Sequence, residues 1–340
     1  MKSIFLVTGG LGHLGSTIVK ALLRRGGEVR ALILPTDKGG REDGVEYFIG
    51  DVRRKESMIP FFEHDEDQDL YLIHTAGLIS IQDRGTKDIY AVNVGGTKNI
   101  IDMAKEYGVK KMVYVSSVHA LAERKDRAVL REEKKYEPQK VYGEYAKSKA
   151  MASNMVLKAA EEGLCATIVL PSGIIGPGDS GRNHIVQLCV MFLSGRLPMG
   201  VDGGYDMVDV RDVADGILRA MEKGKSGESY ILSGSSVSIR ELISYMANAS
   251  GKKEKPCVPI FIARLAAPLF LLDAKRRKKR PLFTKYSLMT LESNTRFSHD
   301  KAATELGYYP RDISESVRDM VDYLEREKKG KTNALIQATV

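Results

Sequence analysis

Two residues on one predicted helix have the types and the spacing needed for proton transfer. Tyr145 and Lys149 lie four residues apart in the amphipathic stretch 142–162, so they share one helix face and can reach one ligand together. A free tyrosine has a pKa near ~10, but a nearby ammonium favours the phenolate and lowers that pKa. Tyr145 could therefore give a proton to a carbonyl, or take one from an alcohol, while a hydride moves to or from a nicotinamide.

A hydroxyl from another segment is needed to orient the substrate oxygen. Ser117 follows the predicted strand 112–115 and stands at its carboxyl end, where parallel sheets bind ligands. Ser116 should point to the opposite face, because side chains alternate along a strand. His119, two residues after Ser117, is a candidate substrate contact.

The pattern Tyr-x-x-x-Lys occurs twice in the chain, and only one copy suits a site. The second copy is Tyr136 and Lys140. Pro138 interrupts it, so these two side chains are not expected on one helix face.

A glycine-rich turn follows the first predicted strand and opens directly into an amphipathic helix. Glycines permit a close backbone approach, and a helix N-terminus offers free N–H groups to a pyrophosphate. The turn satisfies both G-x-G-x-x-G and G-x-x-G-x-x-G, so the glycines do not choose between dehydrogenase families. The predicted dinucleotide contacts here are Thr8, Gly9, Gly10, Leu11, Gly12, His13, Leu14 and Gly15.

The second predicted strand lacks the acidic residue that usually holds the ribose of NAD. It ends Ile33-Leu34-Pro35, with neither a carboxylate nor an arginine for the phosphate of NADP. Asp37, Lys38 and Arg41 follow only in the loop. The cofactor is therefore predicted as NAD(P), with the choice between the two open.

Short apolar runs alternate with helical patterns, which predicts parallel strands joined by helical crossovers. We therefore expect an α/β fold with a doubly wound Rossmann sheet and a smaller C-terminal lobe. Residues 1–171 and about 206–235 are predicted to form the dinucleotide-binding domain. Residues about 172–205 and 236–328 are predicted to form the substrate lobe, and 329–340 a frayed tail.

The composition is that of an ordinary folded protein: 340 residues, 43% of them hydrophobic and 28% charged. Disordered and fibrous classes are excluded. Three dispersed cysteines without metal-ligand spacing predict neither a metal site nor a disulfide framework, and favour a reducing cytoplasm. The first apolar run is too short for a signal peptide, and no stretch reaches the roughly 18 apolar residues of a spanning helix.

Much of the formal charge of +8 lies in a few basic runs, of which Lys275–Arg280 is the densest. It follows the apolar stretch 258–272, and this combination is typical of peripheral membrane contact. We favour the simpler interpretation, a helix packed on the substrate lobe with a solvated loop behind it. The role of the run stays open, but no nucleic-acid partner is predicted, because no aromatic residues or nucleic-acid fold accompany it.

Taken together, the motifs make the chain resemble the extended short-chain dehydrogenases/reductases, the NAD-dependent epimerase/dehydratase superfamily. Besides the glycine turn and Ser117, Tyr145 and Lys149, the resemblance rests on Gly50-Asp51-Val52, His74-Thr75-Ala76-Gly77, Asn93-Val94-Gly95-Gly96-Thr97, Gly176-Pro177-Gly178-Asp179, residues 208–214 and Leu306-Gly307-Tyr308-Tyr309-Pro310. The resemblance implies Tyr145 as acid/base, Lys149 as ligand of the nicotinamide ribose and Ser117 as ligand of the reacting oxygen.

Further cofactor contacts are predicted along the chain. Asp51 could accept from the adenine amino group or cap a helix. Tyr145 and Lys149 count among the contacts, and the others are Leu34, Asp51, Val52, Thr75, Ala76, Gly77, Pro171 and Gly173.

The departures from the family patterns favour one branch. Sugar-nucleotide epimerases commonly carry an arginine where Tyr205 stands, and dehydratases carry acids where Val118 and His119 stand. The form Leu170-Pro171-Ser172-Gly173 looks more like the dihydroflavonol-reductase and 3β-hydroxysteroid-dehydrogenase group. That similarity implies hydride transfer with a secondary alcohol or ketone on a relatively apolar small molecule, with His119 and Tyr205 as candidate substrate contacts.

Two other functions stay open. One is epimerisation of a nucleotide-linked sugar on the same fold. The other is a non-catalytic dinucleotide sensor, although such relatives typically lack the tyrosine or the lysine that this chain retains. A homodimer is compatible with the resemblance, and the sequence does not fix the oligomeric state.

Overall fold

The computed structural model describes residues 2–37, 39–79, 86–123, 128–179, 183–263 and 296–337. Lys38, the basic run and the end of the apolar stretch 258–272 lie outside them. The described residues form two compact units. The first takes in those within Met1–Ser172, Arg211–Ser233 and Arg296–Tyr309, and the second those within Gly173–Val210, Gly234–Thr295 and Pro310–Val340.

The described strands and helices alternate along the first half of the chain. The strands are β1 Lys2–Thr8, β2 Glu28–Ile33, β3 Val45–Ile49, β4 Gln68–His74, β5 Lys111–Val115, β6 Ala166–Pro171, β7 Gly173–Ile175, β8 Gly200–Val201, β9 Gly204–Asp209, β10 Ser229–Leu232, β11 Ser235–Ser238 and β12 Cys257–Val258. The helices are α1 His13–Arg24, α2 Ile59–Phe62, α3 Thr86–Tyr90, α4 Thr97–Glu106, α5 Glu144–Glu161, α6 His184–Leu193, α7 Val210–Lys223, α8 Ile239–Ser250, α9 Asp300–Leu306 and α10 Ile313–Gln337.

The first unit is built on a seven-stranded sheet of order β10-β6-β5-β4-β1-β2-β3. Every pairing in it is parallel, which confirms the predicted doubly wound α/β fold. Strand β6 is buried along its whole length. Continuous burial is expected of a parallel strand that is covered by helices on both faces of the sheet.

The register of the sheet brings the predicted site residues to one edge. Thr8, the last residue of β1, is paired with Leu32 on one side and with His74 on the other. His74 is in turn paired with Tyr114 of β5. The segments after β1, β2, β4 and β5 therefore begin at nearly the same level, at the carboxyl ends where ligands bind in such folds.

The second unit has its own small sheets and its own core. β9 pairs antiparallel with β11 and parallel with β7, while β12 pairs with β8. Helix α8 begins with a capping box, in which Ser238 and Glu241 satisfy each other's backbone N–H groups, and ends at Gly251 in the left-handed conformation. Its apolar face packs with α6 and α10 around Phe192, Leu242 and Val317, all nearly inaccessible to solvent.

Two further features concern the C-terminal part of the chain. Residues 296–309 belong to the first unit, because Phe297 bridges to Leu130 and the Tyr308 hydroxyl donates to the Ser233 carbonyl. Helix α10 extends as far as Gln337, and the fraying expected of residues 329–340 stays a prediction. None of the described helices is both long and apolar enough to span a membrane.

Candidate active site

The glycine turn has a shape that side chains would prevent. Gly9 has a φ of 71°, a left-handed value that favours glycine, and a Cβ on Gly10 would lie 2.7 Å from the Cβ of Ala31. A Cβ on Gly15 would overlap the carbonyl oxygen of Gly9. The structure thus requires glycine at Gly9, Gly10 and Gly15.

The start of α1 fits the pyrophosphate of a dinucleotide. The N-cap is Gly12, which provides no side-chain cap, and the first turn of α1 contains no acidic residue. The positive end of the helix dipole therefore meets no carboxylate of its own first turn, which favours an external anion. The residues present fit the predicted cofactor at this point.

His74 joins the ends of three elements through a buried hydrogen-bond chain. Its Nδ1 lies 2.7 Å from Thr8 Oγ1, and its Nε2 lies 3.1 Å from Thr97 Oγ1. Because the Thr97 hydroxyl donates to the Asn93 carbonyl, Nε2 must carry the proton that it shares with Thr97. Complete burial, together with the charge of Lys149, lowers the pKa of His74 to about 3, so the ring is neutral.

The segment after β4 is held by side chains from two sides. The Thr75 hydroxyl donates to the Thr8 carbonyl, and the Ala76 N–H donates to Thr8 Oγ1. The buried Asn93 side chain accepts from the Leu78 N–H at 2.8 Å and donates to the Leu78 carbonyl at 3.0 Å. The predicted contacts Thr75, Ala76 and Gly77 thus lie on a fixed backbone beside Thr8.

Asn93 lies in a π-helical turn, Ala91–Gly96, between α3 and α4. Its Nδ2 also donates to Ser148 Oγ on α5 at 2.9 Å. The sequence alone does not fix the role of Asn93. The signal that could have identified it is a polar residue followed by Val-Gly-Gly at the start of an apolar helix pattern, since π-turns are frequent at functional sites.

Ser117 and Tyr145 come together as the sequence predicts. Ser117 is buried and its Oγ accepts from the His119 N–H at 3.3 Å. The surrounding protein raises the pKa of Tyr145 to about 12, and the hydrogen bond to Ser117 acts in the opposite direction. The His119 ring lies edge-on to Tyr145, with the centroids 6.4 Å apart.

Ser116 points away from this site, as strand alternation requires. Its hydroxyl is buried and lies 2.7 Å from Ser153 Oγ on α5. The second Tyr-x-x-x-Lys pattern is also structural. Tyr136 is buried with its hydroxyl 2.8 Å from Ser229 Oγ, while Lys140 forms an ion pair with Glu137.

Lys149 shares the helix face of Tyr145, but its ammonium points to the backbone. Nζ donates to the Val115 carbonyl at 2.8 Å and lies 5.0 Å from the centroid of the Tyr114 ring. Burial lowers the pKa of Lys149 to about 8. The expectation that Lys149 lowers the pKa of Tyr145 is therefore wrong here, because burial disfavours the charged form of both residues.

Asp51 has local partners in the structure. Its carboxylate accepts from the Arg53 N–H at 2.9 Å and from the Arg53 guanidinium, with Nη2 at 2.6 Å from Oδ2. These bonds hold the pKa of Asp51 below its usual value. Val52 is buried, and its carbonyl accepts from Asn99 Nδ2 at 2.9 Å. Adenine contacts by Asp51 and Val52 stay predictions.

The remaining predicted residues fall on different elements. Leu34 directly follows β2 and is 41% exposed. Pro171 is the buried last residue of β6. Gly173 and Tyr205 belong to β7 and β9 of the second unit, so the cofactor role of Gly173 and the substrate role of Tyr205 stay predictions.

The model of the NAD dependent epimerase/dehydratase family matches residues 5–233. The chain is 32% identical over 322 residues to sterol demethylase protein B of Methylococcus capsulatus, covering 93% of this chain and 96% of that protein. It is 30% identical to the 4-hydroxy-2-methyl-3-oxo-4-farnesyl-3,4-dihydroquinoline-1-oxide ketoreductase of Stigmatella aurantiaca, covering 90% of this chain and 91% of that protein.

Among solved structures, the chain is similar to that of gox2253. The TM-score is 0.81 at 31% sequence identity, and the match covers 95% of this chain and 98% of the other. The similarity therefore extends over both compact units and not only over the sheet.

Proposed function

The chain belongs to the NAD dependent epimerase/dehydratase family, and from that premise we propose that it interconverts a secondary alcohol and a ketone on a bulky apolar substrate. Its similarity to these relatives identifies it as an NAD(P)-dependent oxidoreductase. The observation that supports the chemistry most directly is the pairing of Tyr145 with the buried side chain of Ser117, with buried Lys149 one turn away on α5.

A bound dinucleotide would supply the nicotinamide, which gives or takes the hydride. The residues of this chain then handle the oxygen and its proton. Ser117 Oγ and Tyr145 Oη can both hydrogen-bond the reacting oxygen. Because its pKa is about 12, Tyr145 keeps its proton at neutral pH and is suited to give it to the oxygen as a carbonyl becomes an alcohol.

Lys149 is placed to hold a hydroxyl-bearing group without moving. An ammonium has three donors, and the Val115 carbonyl takes one of them at 2.8 Å. A Cβ on Gly77 would lie only 3.3 Å from Nζ, so the absence of a side chain leaves space beside the ammonium. We assign to Lys149 the ribose hydroxyls of the nicotinamide nucleoside.

The apolar character of the substrate rests on two independent observations. Leu78 and Ile79, which follow Gly77, are 39% and 71% exposed, so two neighbouring large apolar side chains are available for contact beside the site. The two relatives named above carry a sterol and a farnesyl quinoline oxide in their names. A sugar-nucleotide substrate is the second candidate, because the family model also covers epimerases.

The test of this proposal is Tyr145→Phe, with Tyr309→Phe as the matched control. Tyr309 is 79% exposed and takes no part in the site. Oxidation of the reduced dinucleotide is followed with a panel of steroid ketones and of UDP-sugars. We expect Tyr145→Phe to lower turnover at least about a hundredfold while dinucleotide affinity stays near that of the wild type.

Three results would decide against the proposal. Full activity of Tyr145→Phe would refute the acid/base assignment. Turnover of UDP-sugars without net consumption of dinucleotide would show an epimerase. Dinucleotide binding with no turnover of any compound in the panel would favour a sensor.

A further inference from the structure

The loop that follows β2 folds an acidic side chain back onto the end of the strand. The Asp37 N–H donates to the Leu34 carbonyl at 3.0 Å, which closes a tight turn with Pro35 at its second position. In the same turn the Leu34 N–H donates to Asp37 Oδ2 at 2.9 Å. The carboxylate is therefore held at the strand end, although Asp37 is three residues further along the chain.

This turn lies beside the glycine turn. The Gly9 and Gly10 N–H groups both donate to the Leu32 carbonyl, at 3.0 and 3.2 Å, which joins the end of β1 to the end of β2. Beyond Asp37 the loop passes closely over the glycine turn, since a Cβ on Gly39 would lie 3.1 Å from the Cβ of Leu11. The carboxylate of Asp37 is thus fixed next to the turn that fits the pyrophosphate.

The end of the second strand has a general role in dinucleotide-binding sheets. In dinucleotide-binding sheets the adenosine ribose lies over the end of the second strand, and an acid about 20 residues after the glycines accepts from its 2′-hydroxyl. The Leu34 N–H occupies only Oδ2 of Asp37, and no described residue bonds to Oδ1. A carboxylate accepts from a hydroxyl but repels a phosphate at the same position.

Two described cations of this region, Arg41 and Arg53, have other partners. The Arg41 guanidinium lies 5.3 Å from the centroid of the Tyr47 ring. The Arg53 guanidinium is paired with Asp51. Neither is held at the turn by a contact comparable to the one that holds Asp37.

We propose that Asp37 binds the 2′-hydroxyl of the adenosine ribose and makes the protein prefer NAD over NADP. The inference rests on the proposed function, because it assumes that a dinucleotide binds at the glycine turn. It adds the specificity that the sequence left open. The acid that is missing from the strand end in the sequence is supplied by the turn that follows.

The test compares dinucleotide affinities of wild type, Asp37→Asn and Asp43→Asn by calorimetric titration with NAD and NADP. Asp37→Asn keeps an oxygen for the Leu34 N–H but removes the negative charge. Asp43 is exposed on the same loop and serves as the control for a general change of charge. Thermal unfolding of each variant without dinucleotide confirms that the fold is kept.

We expect the wild type to bind NAD more tightly than NADP by about tenfold or more, the scale of one hydrogen bond to a charged group. Asp37→Asn should reduce this ratio by about tenfold, and Asp43→Asn should leave it unchanged. A wild type that prefers NADP, or a ratio that Asp37→Asn does not change, would overturn the inference and leave the proposed function standing. Failure of both dinucleotides to bind would overturn the proposed function as well.

Discussion

His74 Nδ1 lies 2.7 Å from Thr8 Oγ1, so a buried histidine joins the last residue of β4 to the last residue of β1. In its present direction the bond requires a neutral ring, because a protonated Nδ1 cannot accept from the Thr8 hydroxyl. Burial places the pKa of His74 at about 3, against 6.5 for an ordinary histidine. Because the pKa of His74 differs between the folded and the unfolded chain, the stability of the fold depends on pH.

The unfolded chain binds a proton at His74 below about pH 6.5, whereas the folded chain does so only near pH 3. Stability is therefore lost as the pH falls through this window, by about 3 kcal/mol at pH 4.5 from this residue alone. In His74→Asn this part of the acid sensitivity should vanish, although the variant is less stable at neutral pH. Urea unfolding at pH 7.5 and 4.5 measures the difference.

His64→Asn is the control for that experiment, since His64 Nδ1 lies 3.1 Å from the Phe62 carbonyl oxygen and His64 takes no part in the chain of bonds around Thr8. Its acid sensitivity should match that of the wild type. An equal loss of stability on acidification in wild type and His74→Asn would contradict the account of His74.

Lys149→Met should make the protein more stable and less able to bind the dinucleotide. At pH 7 the Lys149 ammonium is protonated in both the folded and the unfolded chain. Because its pKa is lower in the folded chain, burying the ammonium reduces the free energy of unfolding by about 3 kcal/mol. The hydrogen bond to the Val115 carbonyl offsets part of this loss. We expect a higher free energy of unfolding for the variant at pH 7 and weaker dinucleotide binding. The stability advantage should shrink from pH 8 to pH 10, because the wild type loses the buried charge there.

Lys147→Met serves as the comparison for this variant. Lys147 forms an ion pair with Glu144 near the surface, and its replacement should change stability by no more than about 1 kcal/mol. If Lys149→Met were destabilised by the same amount at every pH, the buried ammonium would not carry the penalty assigned to it.

Gly15→Ala should damage both the fold and dinucleotide binding. The added Cβ would overlap the Gly9 carbonyl, so the turn must shift at a cost of about 3 kcal/mol. Gly40→Ala is the control, because a Cβ there meets no atom within 4 Å. Thermal unfolding with and without dinucleotide measures both effects, and a Gly15→Ala protein with normal stability and binding would contradict the assigned packing.

The sequence predicted the sheet well because its signals are local. The alternation of apolar runs with helical patterns and the glycine turn after β1 each lie within a short window. The placement of Ser117 at a strand end and of Tyr145 on the face of Lys149 followed from the same periodicities. These features depend little on distant parts of the chain.

The features that the sequence did not predict depend on residues brought together by folding. The pKa of Tyr145 is raised by burial, which the spacing of Tyr145 and Lys149 does not indicate. The place of residues 296–309 depends on the bridge from Phe297 to Leu130, far apart in sequence. In the sequence Asp37 lies beyond the strand, and only the turn shows that its carboxylate returns to Leu34.

The most direct measurement of the central claim is the fate of deuterium placed at both hydrogen positions of the reactive carbon of the reduced nicotinamide. The protein is incubated with this dinucleotide and a ketone accepted in the panel, and the product is analysed by mass spectrometry. The account predicts one deuterium on the carbinol carbon for each dinucleotide oxidised, and loss of this transfer in Tyr145→Phe. A product that carries only solvent hydrogen, or a reaction without net oxidation of the dinucleotide, would contradict it.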